Sequence, residues 1–185
     1  MPDRLTAQQR HNNMAAIKAK DTKPELLVRK YLWAHGFRYR LNHHRLPGKP
    51  DVVLRKYHTC IFVNGCFWHG HNITPATPST PDVGQYQPRF ASSTCCKIPK
   101  TNTEFWENKI SRNRERDAQV RQRLTHMGWN CITIWECELR PDRRQQTLQS
   151  LAFTLNHIYL QQFRRHTYTP QSDEQPAIAA EQSPE

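Results

Sequence analysis

The residues of this chain best suited to chemistry lie in the segment 63–71, which reads Val-Asn-Gly-Cys-Phe-Trp-His-Gly-His. Cys66 and His71 are metal ligands by residue type, and His69 is a candidate general base. Asp51 lies upstream, at the start of a short apolar run, where a carboxylate can hold Mg²⁺ with water and phosphate oxygens. An acid at one end of a strand–turn–strand unit, with Cys, His and aromatic residues at the other, indicates a nuclease-like site.

The same residues also have ordinary structural interpretations. Asp51 follows a proline, and Pro-Asp pairs are common in turns. Phe67 and Trp68 are adjacent large aromatic residues that suit wedges between DNA base steps. The alternative is that one of them belongs to the core, since tryptophan is usually largely buried. The basic charge of the chain and the nearby His69 favour the metal-binding interpretation of Asp51 over the turn.

The spacing of cysteine and histidine suggests a zinc site. Cys66 and His71 can reach one tetrahedral zinc ion, but two ligands do not make a closed site. Cys137 is a candidate third ligand, and either Cys95 or Cys96 is a candidate fourth. The alternative is four unrelated thiols.

The charge of the chain favours a polyanionic partner. The 185 residues carry a formal net charge of +11, with a pI of about 9.7. The segment 167–185 holds four acidic residues and no Lys or Arg, so the remainder carries +15. A body this basic suggests nucleic acid, and the alternative is a soluble protein with a positive surface.

Membrane and disulfide classes are disfavoured. No apolar run is long enough for a bilayer span, and the first residues lack the apolar segment of a signal peptide. A disulfide framework is therefore not expected. Cys60 and Cys131 lie in apolar, strand-like runs and are predicted to be buried thiols.

The sequence patterns predict an α/β fold, with a small mixed β-sheet flanked by helices. Thr-Ala-Gln-Gln at 6–9 and Thr-Lys-Pro-Glu at 22–25 are capping boxes that start helices. Alternating apolar residues predict strands, and the prolines after His71 predict a loop without regular structure. The predicted order is helices over 7–18 and 23–35, strands over 37–41, 51–55 and 59–63, a helix over 103–127, a strand over 129–136 and a helix from 141. The polar face of the helix over 103–127 carries Lys109, Arg112, Arg114, Arg116, Arg121 and Arg123.

The chain resembles the very short patch repair (Vsr) DNA mismatch endonucleases. The matching residues run from about 8 to 140 in the same order. They are Asn13-Met14, Lys20-Asp21-Thr22, Leu46-Pro47-Gly48-Lys49-Pro50-Asp51, Ile61-Phe62, Gly65-Cys66-Phe67-Trp68-His69, Pro99-Lys100-Thr101, Phe105-Trp106, Lys109-Ile110, Asn113, Arg116-Asp117, Gly128-Trp129 and Ile134-Trp135-Glu136-Cys137.

This resemblance implies a restriction-endonuclease-like fold, a catalytic Mg²⁺ and a structural Zn²⁺. The implied activity is nicking of double-stranded DNA on the 5′ side of the mismatched thymine in a T:G pair. We expect a monomer with no membrane partner, located in the prokaryotic cytoplasm and acting at the nucleoid. The expected organisation is a DNA-contacting arm over 1–20, an endonuclease domain over 21–166 with a proline-rich insertion over 72–94, and a disordered acidic tail over 167–185.

Carried over by position, the resemblance assigns four catalytic roles. Asp51 would bind Mg²⁺, and His69 would be the base that activates the attacking water. Asp117 would orient the catalytic histidine, and Glu25 would support the metal-bound water network. The alternatives are that Asp117 forms a surface pair with a helix arginine and that Glu25 closes its capping box.

The resemblance also assigns metal-binding and DNA-binding residues. The implied zinc ligands are Cys66, His71, Cys137 and one of Cys95 and Cys96. The insertion after His71 breaks the usual short Cys–His–Cys run, which leaves the choice between the last two open. Phe67 and Trp68 would wedge beside the mismatch, while Met14 in the arm approaches the opposite groove.

Two positions depart from the family pattern. Val63 stands where the family commonly has threonine, and its backbone carbonyl can still serve as a metal ligand. Asn64 stands where the family commonly has histidine, and an asparagine cannot take up a proton. Either His69 carries catalysis with reduced help, or the protein nicks poorly. The alternative functions are a zinc-stabilised mismatch-binding protein with little or no nuclease activity and a restriction-type endonuclease that cuts matched DNA.

Overall fold

Four α-helices, six strands and two short 3₁₀ helices, Arg55–Tyr57 and Glu136–Leu139, form the regular structure of the described residues. The computed structural model describes residues 6–16, 18, 20–75 and 89–167. The helices are α1 (Ala7–Ala15), α2 (Lys23–Ala34), α3 (Thr103–His126) and α4 (Arg144–Thr167). The strands are β1 (Arg40–Leu41), β2 (Val52–Leu54), β3 (Thr59–Asn64), β4 (Thr74–Pro75), β5 (Phe90–Ala91) and β6 (Asn130–Trp135).

The main sheet is mixed, as the sequence predicts. Its strand order is β1-β2-β3-β6. The first three strands pair antiparallel, and β3 pairs parallel with β6 over its whole length, from Thr59 opposite Asn130 to Asn64 opposite Trp135. The parallel pairing requires a long crossover, and α3 supplies it. The ends of β3 and β6 therefore lie side by side, which brings the segments after them together.

Helices cover both faces of this sheet. Val52, Leu54 and Ile61 pack on one side, in a buried cluster that also takes residues from α2 and α4. Val53 and Cys60 face the other side, where Leu124 of α3 covers them. The alternation follows from the two-residue period of a strand, which sends successive side chains to opposite faces. The result is an α/β sandwich of helix, sheet and helix, and it confirms the predicted α/β class with a small mixed sheet.

Several predicted boundaries differ from the structure. The strand predicted over 37–41 is only Arg40–Leu41, because Phe37 packs in the core and Tyr39 donates its hydroxyl hydrogen bond to the Arg29 carbonyl (3.1 Å). The first helix ends at Ala15 rather than near 18, and the last begins at Arg144 rather than at 141.

The prediction that the proline-rich insertion lacks regular structure is wrong at its two ends. β4 and β5 pair antiparallel there, with Thr74 opposite Ala91 and Pro75 opposite Phe90. The fully buried Glu107 carboxylate on α3 accepts hydrogen bonds from the Arg89 and Phe90 backbone N–H groups at 3.0 and 3.2 Å. A buried carboxylate that accepts backbone hydrogen bonds ties this ribbon to α3. The middle of the insertion, 76–88, and the predicted acidic tail beyond 167 lie outside the described residues.

Within the described ranges, no helix combines the length and the apolar character needed to cross a bilayer.

Candidate active site and metal centre

A cleft of about 710 Å³ opens where β2 begins and β3 ends. The four residues predicted to be catalytic all line it, and they come from four different places in the fold. Asp51 precedes β2, Glu25 lies in the first turn of α2, His69 follows β3, and Asp117 lies on α3. The structure thus brings together residues that are up to 92 positions apart in the sequence.

The Asp51 carboxylate is held at the start of β2 by the neighbouring strand. Its Oδ2 accepts a hydrogen bond from the Val63 backbone N–H at 2.8 Å. Burial raises the pKa of the Asp51 carboxyl, and the Glu25 carboxylate adds to the rise, while the Val63 N–H, Arg29 and His69 oppose it. A carboxylate that is costly to ionise in its own pocket gains from a bound cation, which relieves the desolvation penalty. Asp51 therefore fits a role as a Mg²⁺ ligand.

Gly48 allows the loop before Asp51 to lie against α3. Its φ is +72°, a conformation that L side chains rarely adopt. A Cβ atom at this position would lie 2.4 Å from Cγ1 of Val120. The glycine of the Leu-Pro-Gly-Lys-Pro-Asp segment is therefore required both for its backbone conformation and for a close approach to α3.

Glu25 is buried, and both oxygens of its carboxylate accept local hydrogen bonds. Thr22 caps α2 and accepts a hydrogen bond from the Glu25 backbone N–H, while the Thr22 hydroxyl donates to Glu25 Oε1 at 2.8 Å. Glu25 Oε2 accepts from the Asp21 N–H at 3.1 Å and from Arg29 Nη2 at 2.7 Å. The predicted reciprocal capping box is therefore only half formed, because the glutamate reaches the backbone of residue 21 rather than that of residue 22.

Arg29 is a buried residue of the site that the sequence analysis did not single out. Its side chain is 5% exposed and pairs with both Glu25 and Asp21. Its Nε atom is buried without a hydrogen-bond partner. The guanidinium holds Glu25 in place beside Asp51 and offsets part of the negative charge of the two carboxylates. The spacing of four residues on one helix was the available signal, since it places Glu25 and Arg29 on the same face.

His69 Nδ1 is in hydrogen-bond contact with the Asp117 carboxylate of α3. With Nδ1 donating to a carboxylate, Nε2 becomes the nitrogen that is free to accept a proton. The two side chains are 20% and 29% exposed, so solvent and substrate can reach them. The Asp117 carboxylate also lies 3.6 Å from Arg116 Nη2, but this exposed contact is weaker than the pair with His69.

The turn between β3 and His71 is held against α3 by two contacts. Asn113 donates its side-chain amide hydrogen bond to the Trp68 carbonyl at 2.8 Å. Gly70 has a φ of +59°, and a Cβ atom there would lie 2.6 Å from Cγ2 of Ile110. Only glycine allows this approach, and the close contact fixes the position of the neighbouring His69 and His71 relative to α3.

Asn64 lies in the cleft with Asp51 and His69. It is the last residue of β3 and is half-buried. The position where the resemblance expects a histidine therefore faces the predicted reacting groups. Val63 lines the same cleft and is held there through its backbone contact with Asp51.

The cleft also contains basic residues and an acidic residue that the sequence analysis did not assign to it. Lys18, Lys49, Arg116 and Arg121 supply positive charge, and Glu136 supplies a carboxylate beside Gly65. The basic pattern of α3 pointed to two of these residues. Glu136 is part of the Ile-Trp-Glu-Cys motif at 134–137, but the sequence analysis assigned it no role.

A second group of side chains has the composition and spacing of a zinc site. One ligand atom each from Cys66, His71, Cys95 and Cys137 lies within 4.8 Å of every other. The three sulfur atoms lie 3.7, 3.3 and 3.3 Å from Nδ1 of His71. Tetrahedral zinc with ordinary bond lengths separates a sulfur and a nitrogen ligand by about 3.6 Å. The four residues therefore fit one zinc ion in S₃N geometry.

The ionisation of these groups suits metal binding. Burial lowers the pKa of the His71 imidazole, which favours the neutral ligand form. Burial raises the pKa of Cys66 to about 12 and also raises that of Cys137, so both thiols hold their protons until a metal displaces them. Burial pushes the pKa of Cys95 upward as well, but hydrogen bonds from Ser93, Cys137 and Cys66 outweigh it and the net shift is downward.

The structure decides between the two adjacent candidate cysteines. Cys95 joins the cluster, whereas Cys96 is fully buried in a different apolar group with Ile73 and Ile110. The chain bends at 94–95, and Ser93 and Cys96 exchange hydrogen bonds of 2.9 and 3.0 Å across the bend. In this bend the Cys95 sulfur lies 3.3 Å from His71 Nδ1, whereas the Cys96 side chain packs in the apolar group. Cys96 is therefore not part of the candidate zinc site.

The other two cysteines lie opposite each other on β3 and β6. Cys60 is fully buried, as predicted, but Cys131 is only half-buried. Burial raises the pKa of both thiols.

The two aromatic residues of the predicted wedge are neither free nor fully in the core. Phe67 packs against the group of Ile73, Cys96 and Ile110, and both Phe67 and Trp68 are half-buried. Trp106, which the sequence analysis quoted only as part of a motif, stacks edge-on with both, at centroid distances of 5.2 and 6.1 Å. The three rings therefore form one aromatic cluster, and Trp68 is its member that lines the cleft.

Met14, the arm residue predicted to approach DNA, lies on α1 and is 43% exposed. The predicted capping box at the start of α1 is confirmed, because Thr6 and Gln9 exchange side-chain-to-backbone hydrogen bonds at 3.2 and 2.9 Å.

Comparisons with known proteins identify the family of this chain. The family model described as DNA mismatch endonuclease Vsr matches residues 2–74. The type II nicking enzyme V.NmeAIP of Neisseria meningitidis serogroup A is 43% identical over 140 residues, covering 76% of this chain and 86% of that protein. The type II nicking enzyme V.XorIIP of Xanthomonas oryzae is 36% identical over 139 residues, covering 75% and 88%. The DNA mismatch endonuclease Vsr of Escherichia coli is 37% identical over 131 residues, covering 71% of each chain. The chain belongs to the Vsr family.

Proposed function

We propose that this protein is a Mg²⁺-dependent endonuclease that nicks one strand of DNA at a T:G mismatch, on the 5′ side of the mismatched thymine. The observation that supports this proposal most is that Asp51, Glu25 and the His69–Asp117 pair line one cleft of a chain that belongs to the Vsr family. The relatives support nicking and mismatch recognition, since some are named nicking enzymes and one a mismatch endonuclease.

The side chains of the cleft have separate roles in phosphodiester hydrolysis. The Asp51 carboxylate and the Val63 carbonyl would hold Mg²⁺, which supplies charge relief for the phosphate and lowers the pKa of a bound water. His69 accepts the proton of the attacking water at Nε2, since its Nδ1 is engaged by Asp117. Asp117 keeps the ring in this tautomer and stabilises the imidazolium that forms.

The remaining charged residues of the cleft orient the substrate. Glu25 is held beside Asp51 by Arg29 and offers oxygen atoms to the water network around the metal. Lys49 and Arg116 face the same cleft and suit contacts with DNA phosphates, which position a duplex without reading its sequence. This basic lining explains how a carboxylate-rich site accepts a polyanion.

The proposal includes a structural role for zinc. Cys66 and His71 bracket the turn that carries Phe67, Trp68 and His69. Cys95 belongs to the segment after the insertion, and Cys137 follows β6. A zinc ion on these four ligands would join three segments of the chain and fix the turn that presents the general base.

We extend the proposal to the fold and its segments. A mixed sheet with Asp51 at the start of β2, and helices on both faces, is consistent with a restriction-endonuclease-like fold. The arm over 1–20 would contact DNA, and the domain over 21–166, which includes the proline-rich insertion over 72–94, would carry the catalytic site.

A nicking assay tests the function. A T:G duplex and its T:A counterpart, labelled on each strand in turn, are incubated with the protein and Mg²⁺, and the product is mapped to single-nucleotide resolution. We expect one nick, in the thymine strand of the T:G duplex, on the 5′ side of the mismatched base. Cleavage of both strands of the T:A duplex would contradict the proposal and indicate a restriction-type enzyme.

A binding protein without useful nuclease activity is the second candidate, and the position of Asn64 favours it. Asn64 faces the cleft where a histidine is expected, so the cleft holds one proton-accepting imidazole in His69. Tight binding of T:G duplex without any nick under Mg²⁺ or Mn²⁺ would support this candidate over the enzyme.

Trp68→Ala is expected to reduce the preference for T:G over T:A duplex by about tenfold, because stacking of one base on an aromatic ring is worth about 1–3 kcal/mol. A mismatch is already poorly stacked, so a wedge costs less free energy there than in matched DNA. The measurement is the ratio of dissociation constants for the two duplexes. Trp33→Ala is the control, since Trp33 is 57% exposed on α2 and does not line the cleft. If Trp68→Ala lowers the melting temperature but leaves the ratio of the two dissociation constants unaltered, Trp68 serves the core and not mismatch recognition.

Asn64→His is expected to raise the nicking rate by up to about 10²-fold, the lower range of general acid–base catalysis. The gain should grow as the pH rises through about 6.5, because the neutral imidazole accepts the proton. The measurement is the single-turnover rate on T:G duplex against pH. Asn64→Gln, which keeps an amide, should show no such pH-dependent gain. A neutral or harmful effect of Asn64→His would exclude proton transfer at this position.

A further inference from the structure

A second pocket lies directly behind the catalytic histidine. It has a volume of about 660 Å³ and is lined on one side by α3 and on the other by the turn 69–72 and the end of β6. We call it the α3 pocket. His69, Asp117, Asn64 and Arg121 line both this pocket and the catalytic cleft. The two spaces are therefore neighbours separated by the side chains that carry the proposed chemistry.

The α3 wall of this pocket presents donors and positive charge. Arg114, Asp117, Arg121 and Thr125 follow one another at spacings of three, four and four residues, and Gln122 precedes Thr125 by three, which places these residues on one side of the helix. Asp117 on the same face is the pocket's carboxylate, and it is engaged by His69. His126 adds a titratable donor at the end of the row. Arg121 donates from one Nη atom to the Thr133 hydroxyl at 3.1 Å, and the Thr125 hydroxyl donates to the Arg121 carbonyl at 3.0 Å. The guanidinium of Arg114, the remaining N–H groups of Arg121 and the Gln122 amide suit a phosphodiester, which accepts hydrogen bonds from each.

The opposite wall is shaped by the turn after the zinc ligands. Gly70, whose φ is +59°, would place a Cβ atom 3.3 Å from Cδ of Arg114, so the arginine stem lies against this glycine. Asn72 has a φ of +55° and lines the pocket. The His71 ring stacks on Trp135 at a centroid distance of 4.0 Å, and both residues line the pocket. The pocket is thus bounded by segments that carry or adjoin the candidate zinc ligands His71 and Cys137.

We propose that the α3 pocket binds the phosphodiester backbone of the nicked strand at a phosphate adjacent to the scissile one. The inference rests on the proposed function, because it takes the scissile phosphate to lie between Asp51 and His69. A strand bound there has to leave the cleft in two directions, and the α3 pocket is the basic space that shares a wall with the reacting groups. The pocket would hold the strand in register, as phosphate contacts do in DNA complexes.

The chain offers a matched pair of variants for the test. Gln122 and Gln119 are both exposed glutamines on α3, but Gln122 lines the α3 pocket and Gln119 lines neither space. Gln122→Glu and Gln119→Glu add the same charge to the same helix. We expect Gln122→Glu to weaken binding of T:G duplex by about fivefold more than Gln119→Glu does, because a carboxylate beside a phosphate is repelled at short range. Melting temperatures establish that both variants are folded.

Neutral phosphate analogues then locate the contact. Duplexes carrying one methylphosphonate, on either side of the scissile phosphate, remove a single backbone charge. At one of these positions the extra penalty of Gln122→Glu should fall to that of Gln119→Glu, since the repelling charge is gone. Equal penalties for the two variants, or a Gln122→Glu penalty that no methylphosphonate removes, would overturn the inference.

The design separates this inference from the proposed function. The readout is binding, so it is obtained whether or not the protein nicks. If the protein nicks T:G duplex normally and the two variants show equal binding penalties, the proposed role of the α3 pocket is contradicted and the proposed function is not. If the protein instead binds without nicking and still shows the position-specific penalty, that result would support the α3 pocket as a site for the DNA backbone and contradict the proposed nuclease activity.

Discussion

Asp51→Asn is expected to reduce nicking of T:G duplex by about 10³-fold while DNA binding persists or tightens. The substitution removes the carboxylate proposed to hold Mg²⁺, and a metal ion at a phosphate is worth several kcal/mol of transition-state stabilisation. Each tenfold loss of rate corresponds to about 1.36 kcal/mol. Binding survives because the variant removes a negative charge that faces the DNA backbone. Single-turnover rates and dissociation constants, measured on the same duplex, separate the two effects.

Asp142→Asn is the matched control for this variant. Asp142 precedes α4, its side chain is 69% exposed, and it pairs only with the adjacent Arg143 among the described ion pairs. It is expected to nick at the wild-type rate. If Asp51→Asn nicks as fast as this control, Asp51 has no catalytic role.

The same variant is expected to be more stable than the wild type at neutral pH. Burial raises the pKa of the Asp51 carboxyl above its ordinary value of 3.8, so the folded protein holds this proton more tightly than the unfolded chain. Stability then falls as the pH rises from 3.8 through the raised folded-state pKa, and the full penalty is present above it. Asp51→Asn removes the penalty, and its advantage should shrink as the pH is lowered toward 3.8. Urea unfolding midpoints at several pH values, against Asp142→Asn, measure this.

Added Mg²⁺ provides an independent readout of the same carboxylate. A ligand that binds only the folded protein stabilises it in proportion to the logarithm of its concentration above the dissociation constant. Mg²⁺ should therefore raise the melting temperature of the wild type and leave that of Asp51→Asn unchanged. An equal rise in both proteins would place the metal away from Asp51.

Loss of zinc is expected to unfold much of the protein rather than merely slow the reaction. Structural zinc sites in small peptides contribute about 10–16 kcal/mol, which is comparable with the whole stability of a typical domain at about 5–15 kcal/mol. Cys66→Ala removes a buried ligand of the cluster. The variant should bind no zinc and show no cooperative unfolding transition. Removal of zinc from the wild type with a chelator should abolish the cooperative transition as well.

Cys95→Ala and Cys96→Ala form the sharpest test of the zinc site, because the two residues are adjacent. Cys95 belongs to the cluster and Cys96 does not. Purified Cys95→Ala should contain less than one zinc per chain and melt at a much lower temperature. Cys96→Ala should keep one zinc per chain and lose only the stability of a small buried side chain. Metal analysis and thermal melts together check this, and the reverse result would make Cys96 the ligand.

Much of the site was predictable because its residues belong to short local motifs. Cys66, His69 and His71 fall within six residues, so the type and spacing of their side chains indicate metal and proton chemistry without a fold. The helix starts at Thr6 and Thr22 are also local, since a cap depends on hydrogen bonds over three residues. The mixed sheet followed from apolar alternation and from the long crossover between β3 and β6.

Other features depended on residues that are close only in the folded chain. The pairing of His69 with Asp117 spans 48 positions and exists because Gly70 lets the turn lie against α3. The anchoring of Arg89 on Glu107 likewise joins the insertion to a helix. Periodicity cannot register such contacts, because it describes one element at a time.

By itself, the sequence determined the class of chemistry, the basic character of the molecule and the order of its elements, because these depend on residue type and local spacing. The tertiary structure alone decided that Cys95 rather than Cys96 joins the metal cluster, that Arg29 holds Glu25, and that Asn64 faces the reacting groups. Each of these outcomes depends on which way a side chain points after distant segments have packed. That direction is set by the sheet register and the close approach of α3, which no short stretch of sequence contains.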